Sequence, residues 1–359
     1  MSDSFQDLSQ DQLDIVMILS NKVLLPLFQG VGTMVNILNT VIFIQLGFKD
    51  VMNISFLAVS LSDLGYSLCN AAINVCLVVA LSPWQQNLPV SMLSLGGWLI
   101  CYQYIFVDTT TCAHAYLALA RCCCVTMPFT FKNVFTARRT VFIIVDAFII
   151  NTVFRIPLVT SHGLSWQTSP LTNATRLTIW FSNDYPFFMY LEKIICRTVL
   201  PVIFLLVTFL CTIILTYALV VASRKRSSMI IAKNFSDTNV KKCKAKKYEK
   251  MTCSQNEKVK QADNLHSNVL SCKELVLIKA VTLITALKAI TLLFVCVFAL
   301  AEALVPEFFP GRKYNRLHAT VTALISIVMS ANQCGNFFVY CAFNKRYRYK
   351  LKRNFFQNA

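Results

Sequence analysis

Polar side chains recur inside apolar stretches of this sequence at spacings that could build a site. Asp63 lies in LAVSLSDL, Thr110 in a later run, and Asn332 and Asn336 are four residues apart in the last run. Residues four apart share one face of a helix. One carboxylate with several neutral oxygens suits a bound monovalent cation such as Na⁺, or ordered waters. The alternative is that each polar group simply hydrogen-bonds a neighbouring helix.

A second polar series follows one side of the run that holds Thr110, because its spacings of seven, four and seven keep one helical face. Its members are Gln103, Thr110, His114 and Arg121. Asp108 falls off this face and would contact the fourth or fifth helix. Lys288 lies near the middle of another run, where a charged side chain is costly. We expect it to pair with Asp63 or Asp108, or to line a wet cavity.

The composition requires lipid around most of the chain. Of 359 residues, 56% are hydrophobic and 14% are charged, and the mean hydropathy is +0.56. Seven apolar runs each exceed the ~18 residues that cross a ~30 Å hydrocarbon core as a helix. We therefore predict an all-α membrane protein, a seven-transmembrane helix bundle over residues 23–342. The predicted spans are 23–46, 54–80, 98–125, 141–159, 190–221, 276–304 and 317–342.

The positions of the basic residues predict the orientation of the bundle. Most of the 34 Lys and Arg residues lie in 45–53, 121–139, 223–273 and 343–359, all on one side of a seven-helix topology. That side is expected to be cytoplasmic, which leaves 1–22 as an extracellular N-terminus on the plasma membrane. The segment 223–273 then becomes a long basic cytoplasmic loop. The net charge of +17 reflects topology, and no nucleic-acid partner is expected.

Three further features bear on function. The segment FNKRYRYKLKRNFF alternates aromatic and basic residues, which predicts a short amphipathic helix in the inner bilayer interface within 343–359. The sequon that begins at Asn173 lies in an expected extracellular loop, where glycosylation is possible. The sequence has no phosphate-binding glycine loop, metal motif or paired nucleophile and base, so no enzyme activity is expected.

The motifs in these runs resemble those of the rhodopsin-like G-protein-coupled receptors, in order through all seven spans. GTMVNILNTVIF is similar to the first-helix motif, LAVSLSDL to the second, LALARCCCVTMPF to the Asp-Arg-Tyr segment, TVLPVIFLL to the fifth and NFFVY to Asn-Pro-x-x-Tyr. The resemblance assigns Asp63 to a sodium site, and Arg121 and Tyr340 to G-protein coupling. The segment NFFVYCAFNKRYR resembles the corresponding segment of the divergent invertebrate branch, the mollusc and nematode chemosensory and neuropeptide-like receptors.

The sequence also departs from the family pattern at the coupling motif. Ala120 replaces the acid before Arg121, and Phe337 replaces the proline of the last motif. The resemblance leaves Glu274, at the base of the sixth span, as the resting partner of Arg121. The arginine is then expected to extend to the cytoplasmic rim. A partly solvated pair contributes only about 0.2–1 kcal/mol, so high basal signalling is predicted.

A second departure concerns the extracellular side. Gly96 stands where the family carries a cysteine at the start of the third helix, and no cysteine lies in 160–188. The usual extracellular disulfide is therefore not expected.

The resemblance implies a receptor that binds an extracellular peptide or small molecule and activates a heterotrimeric G protein by a shift between helix arrangements. An amine ligand is disfavoured, because Gln103 stands where amine receptors carry an Asp. The ligand would lie near Gln103, Tyr102, Tyr104, Asp108, Lys193 and Glu302. Two alternatives remain open. One is a seven-helix ligand-gated channel with inverted topology, and the other is a transporter or membrane scaffold that does not couple.

Overall fold

The structure, a computed structural model, describes residues 10–168, 175–244, 272–308 and 312–356, most of them in helices. The helices are α1 Gln10–Leu19, α2 Leu25–Leu46, α3 Val51–Ala80, α4 Met92–Thr126, α5 Pro128–Val134, α6 Ala137–Val153, α7 Ile156–Thr160, α8 Tyr185–Glu192, α9 Leu200–Lys244, α10 Cys272–Leu304, α11 Asn315–Phe343 and α12 Lys345–Phe356. Single π-helical segments, Ser20–Leu24 and Lys193–Val199, join α1 to α2 and α8 to α9. Strands β1 His162–Thr168 and β2 Thr175–Phe181 pair antiparallel as a hairpin.

Six helical segments of the described chain are long and apolar enough to cross a membrane. They are Ile15–Leu46, Val51–Ala80, Ala137–Thr160, Tyr185–Val221, Ile278–Leu304 and Asn315–Phe343. The protein is therefore a multi-pass helical membrane protein in a lipid bilayer. The prediction of a helical membrane protein is confirmed.

The third predicted span is the 35-residue helix α4, which does not reach the hydropathy of the other six. It packs against α3, α6, α9 and α10. A helix with protein on several sides needs fewer apolar residues than one surrounded by lipid. The low hydropathy of α4 thus follows from its central position.

Several helix boundaries differ from the predicted ones. The first span begins as helix at Gln10, ahead of residue 23, and a break before Pro157 divides the fourth span into α6 and α7. Proline lacks the backbone N–H that an uninterrupted helix would need there. Helix α9 continues to Lys244, so the prediction of a loop from residue 223 was wrong. Residues 222–234 include two Ala, two Lys and two Arg, which extend an existing helix at little cost.

The β-hairpin is bonded to the segment that precedes α4. Leu177 of β2 donates its N–H to the carbonyl of Pro89 at 2.8 Å, and its own carbonyl accepts the N–H of Ser91 at 2.9 Å. Arg176 adds a bond from its guanidinium to the carbonyl of Gln86 at 2.8 Å. The described cysteines are all free thiols. Hydrogen bonds therefore make the link to the start of α4 for which the receptor family uses a disulfide.

One end of the bundle is closed by an aromatic group that joins α2, α3, α11 and α12. The ring of Tyr340 meets the ring of Phe43 edge-on, with centroids 4.9 Å apart, and lies the same distance from Phe56. Tyr347 of α12 donates its hydroxyl to Asn39 at 2.6 Å. Burial raises the pKa of the Tyr347 hydroxyl, which stays protonated and keeps donating. The predicted helix after the seventh span is thus present as α12, anchored to α2.

Gly65 lies where α3 and α4 approach closely, and a Cβ at this position would overlap the ring of Phe106. We expect Gly65→Leu to lower the free energy of unfolding by about 1–3 kcal/mol, because the helices must separate to fit the side chain. Thermal unfolding of the purified protein in lipid nanodiscs measures the change. Gly335→Ala is the matched control, since nothing lies within 4 Å of its Cβ position. An unchanged midpoint for Gly65→Leu would contradict this packing.

Candidate functional site

The carboxylate of Asp63 joins three helices in the middle of the bundle. Thr110 of α4 donates its hydroxyl to Oδ1 at 3.1 Å, and Asn336 of α11 donates its amide to Oδ2 at 3.0 Å. Asp63 itself is fully buried in α3. The structure therefore brings three of the four residues of the predicted polar cluster together. Asn332 is half-buried on α11, one turn before Asn336.

The polar face of α3 continues from Asp63 toward the end of the helix that leads to α4. Ser67 donates to Oε1 of Gln333 at 3.3 Å, and Asn70 accepts the amide of Gln103 at 3.2 Å. Spacings of four and three residues keep these side chains on one face. Gln103 thus faces α3. Gln333, a buried amide next to the predicted Asn332, was not predicted from the sequence.

Lys288 of α10 is buried, with 7% of its surface exposed. Its charge interacts with those of Asp63 and Asp108, although it forms no direct ion pair with either in the described chain. His114 is also buried, and it lies close enough to Lys288 to interact with the charge of that side chain. A cationic ammonium in this position supplies the positive charge that a buried carboxylate needs.

The family resemblance implies a sodium ion at Asp63. Lys288, whose charge interacts with that of Asp63, would repel a second cation there. The residues present do not fit Na⁺ at Asp63 well.

A second site is a partly buried group of six charged side chains, which we call the charged cluster. Its members are Asp108, Arg155, Glu192, Lys193, Arg197 and Glu302. Arg155, 1% exposed, contacts Asp108 at 2.6 Å and Glu192 at 3.3 Å. Arg197 contacts the other oxygen of Glu192 at 3.4 Å. These contacts tie α4 to the α6–α7 junction and to α8.

The cluster reaches the sixth and seventh predicted spans through Glu302. Lys193 contacts Glu302 at 3.0 Å, and His318 of α11 contacts its other oxygen at 2.7 Å. The guanidinium of Arg197 lies over the ring of Tyr104, 4.0 Å from its centroid. A cation over an aromatic face is attracted by the ring electrons.

The exposed part of the charged cluster is positive. The side chains of Lys193 and Arg197 are 20% and 37% exposed, whereas those of the three acids are 12% exposed or less. An approaching molecule therefore meets cations first.

The predicted ligand residues divide into two groups. Tyr104, Asp108, Lys193 and Glu302 belong to the charged cluster or contact it, whereas Gln103 faces α3 and Tyr102 packs on Trp98, with centroids 4.8 Å apart. The sequence analysis missed Arg155, Glu192, Arg197 and His318. Each is an ionisable residue inside a predicted span, and the cost of charge at membrane depth would have identified all four.

Arg121, one of the predicted coupling residues, lies at the other end of α4. Arg121 is buried, 6% exposed, so the prediction that it extends to the rim was wrong. Helix α9 packs against this turn through Cys211, which meets Ala118 and Cys122, and protein encloses the arginine. One contact runs from its guanidinium to the sulfur of Cys124 at 3.8 Å.

Two predicted residues fall outside what the structure describes. The side chain of Glu274, in the first turns of α10, lies outside the described part, so its pairing with Arg121 stays a prediction. Asn173 also lies outside the described residues.

Comparisons with protein-family models and with curated proteins find no match to this chain. The function is therefore inferred from the two sites and from the order of the sequence motifs.

Proposed function

We propose that the chain is a seven-helix receptor of the rhodopsin-like G-protein-coupled type. It would bind an extracellular peptide or small molecule and activate a heterotrimeric G protein from the plasma membrane, with its N-terminus outside. The observation that carries the proposal is the contact of Asp63 with Thr110 and Asn336. These residues lie in the predicted second, third and seventh spans, and they meet at one carboxylate.

The proposal requires α4, the third predicted span, to cross the membrane in addition to the six candidate spans. At 1.5 Å per residue, 35 residues extend about 52 Å, more than a hydrocarbon core of about 30 Å. Its contacts with α3, α6, α9 and α10 explain why it can be polar. The amphipathic helix α12 directly after α11 also supports the receptor topology.

We assign the ligand site to the charged cluster. Its accessible groups are cationic, so a ligand with a carboxylate or another anionic group fits better than an amine. The cluster joins four of the predicted spans. A ligand that binds one arrangement of these helices more tightly than another shifts the population between them. Activation would then expose Arg121, which follows Ala120 where the family carries an acid.

The proposal is tested by nucleotide exchange on purified G proteins. The full chain, reconstituted in lipid vesicles, is mixed in turn with stimulatory, inhibitory and phospholipase-coupled heterotrimers without ligand. We expect it to accelerate exchange on one of them, and Arg121→Ala to lower the rate to that of empty vesicles. Arg138→Ala, an exposed arginine at the start of α6, is the matched control and should behave as the unmodified chain.

Two results would count against the receptor. The first is exchange at the empty-vesicle rate with all three heterotrimers. The second is an N-terminal tag that antibodies reach only after intact cells are made permeable, because that orientation belongs to the inverted channel topology.

A further inference from the structure

A basic cleft lies between the end of α2 and the start of α12. Its volume is about 340 Å³. The side chains that line it are Leu46, Lys345, Arg346, Tyr349 and Lys350. Three of the five are cations, and none is an acid.

The three basic side chains of the cleft are not paired with acids in the described chain. No acidic side chain that the structure describes forms an ion pair with Lys345, Arg346 or Lys350. Without an occupant, their mutual repulsion is unfavourable.

Other side chains hold α12 in place. Tyr347 bonds to Asn39, and Asn354 donates its amide to Gln45 of α2 at 3.0 Å. Arg348 donates to the carbonyl oxygens of Cys341 and Ala342, at 3.1 and 2.8 Å, at the end of α11. The basic residues of the cleft are therefore not needed to attach the helix.

The cleft lies at the depth of the lipid headgroups. Helices α2 and α11 belong to candidate membrane spans, and α12 begins two residues after α11 ends. Tyr349, 62% exposed, is an aromatic residue of the kind found at the membrane–water interface. Leu46 supplies an apolar wall toward the bundle. A molecule in the cleft can thus place its charge among the cations and its hydrocarbon beside α2.

We propose that this cleft binds the headgroup of an anionic phospholipid that carries phosphate groups on its headgroup, of the phosphoinositide type. Three cations complement more than one negative charge, which a single-charge headgroup cannot supply. The site does not depend on the proposed receptor function.

The test uses the full chain purified in detergent and native mass spectrometry to count bound lipid. The probes are a phosphatidylinositol bisphosphate and phosphatidylcholine. We expect the bisphosphate lipid to be retained in preference, and Arg346→Gln with Lys350→Gln to weaken its binding roughly 30-fold, from the usual contribution of two basic residues near lipid charge. The matched control is Lys352→Gln with Arg353→Gln, which removes the same charge from exposed positions of α12 outside the cleft. It should change binding less than about threefold.

Three outcomes would overturn the proposal. They are an equal loss in both double variants, equal retention of the two lipids, and binding of soluble inositol trisphosphate as tight as that of the lipid. The last would assign the cleft to a free phosphate compound. Equal unfolding midpoints for both double variants and the unmodified chain establish that α12 stays docked.

Discussion

Arg155→Met is expected to destabilise the protein by about 3–5 kcal/mol, because it leaves two buried carboxylates short of a partner. Arg155 is the member of the charged cluster that contacts both Asp108 and Glu192, and it is 1% exposed. Without it, Glu192 keeps Arg197, but Asp108 keeps no ion pair in the described chain. Thermal unfolding in lipid nanodiscs should show a fall in the midpoint on the order of 10 °C.

A second variant separates the ionic effect from simple loss of packing. Arg155→Met combined with Asp108→Asn removes the uncompensated charge, so it should recover more than half of the lost stability. The matched control is Arg138→Met, an exposed arginine on α6, which should change stability by less than about 0.5 kcal/mol. If the double variant were no more stable than Arg155→Met, the loss would come from packing and not from charge.

The second large effect is expected at Lys288. If its ammonium balances Asp63, then Lys288→Met leaves that carboxylate buried with only neutral donors, at a cost of about 3–5 kcal/mol. The variant should then recruit a cation from solution. At a sodium concentration about five times the dissociation constant, NaCl in place of choline chloride would raise its unfolding midpoint by roughly 2–4 °C. The unmodified protein should show no such response.

Two further variants define the sodium experiment. Lys288→Met with Asp63→Asn removes the carboxylate and should abolish the sodium response. Lys279→Met, an exposed lysine on the same helix, should behave as the unmodified chain. A sodium response in the unmodified chain that Asp63→Asn removes would instead restore the sodium site implied by the family resemblance.

Much of the site could be predicted because spacing fixes which residues share a helix face. Gln103 and Thr110 were predicted to lie on one face of their helix, and both bond to α3. Gln103 bonds to Asn70, and Thr110 bonds to Asp63. Asp108 was predicted to face the fourth or fifth helix, and it contacts Arg155 at the end of the fourth span. The existence of the long helices followed in the same way from the length and hydropathy of the apolar runs.

What spacing does not fix is the rotation of a helix against its neighbours. Tyr102 and Tyr104 are two residues apart, yet one packs on Trp98 and the other lies under Arg197. The burial of Arg121 depends on where α9 packs, which no local pattern of α4 encodes. The continuation of α9 to Lys244 could not be predicted from hydropathy either, because a helix that leaves the membrane needs no apolar face.

The bonding of Leu177 to Pro89 and Ser91 has a consequence for how this end of the protein is assembled. A link formed by backbone hydrogen bonds assembles as the chain folds, without an oxidant, a disulfide isomerase or a choice among cysteine pairings. Thiol reductants leave it intact, so the hairpin keeps its place in a reducing solution. The link is also reversible on the timescale of local opening, and the hairpin can detach from α4 and return without any covalent change.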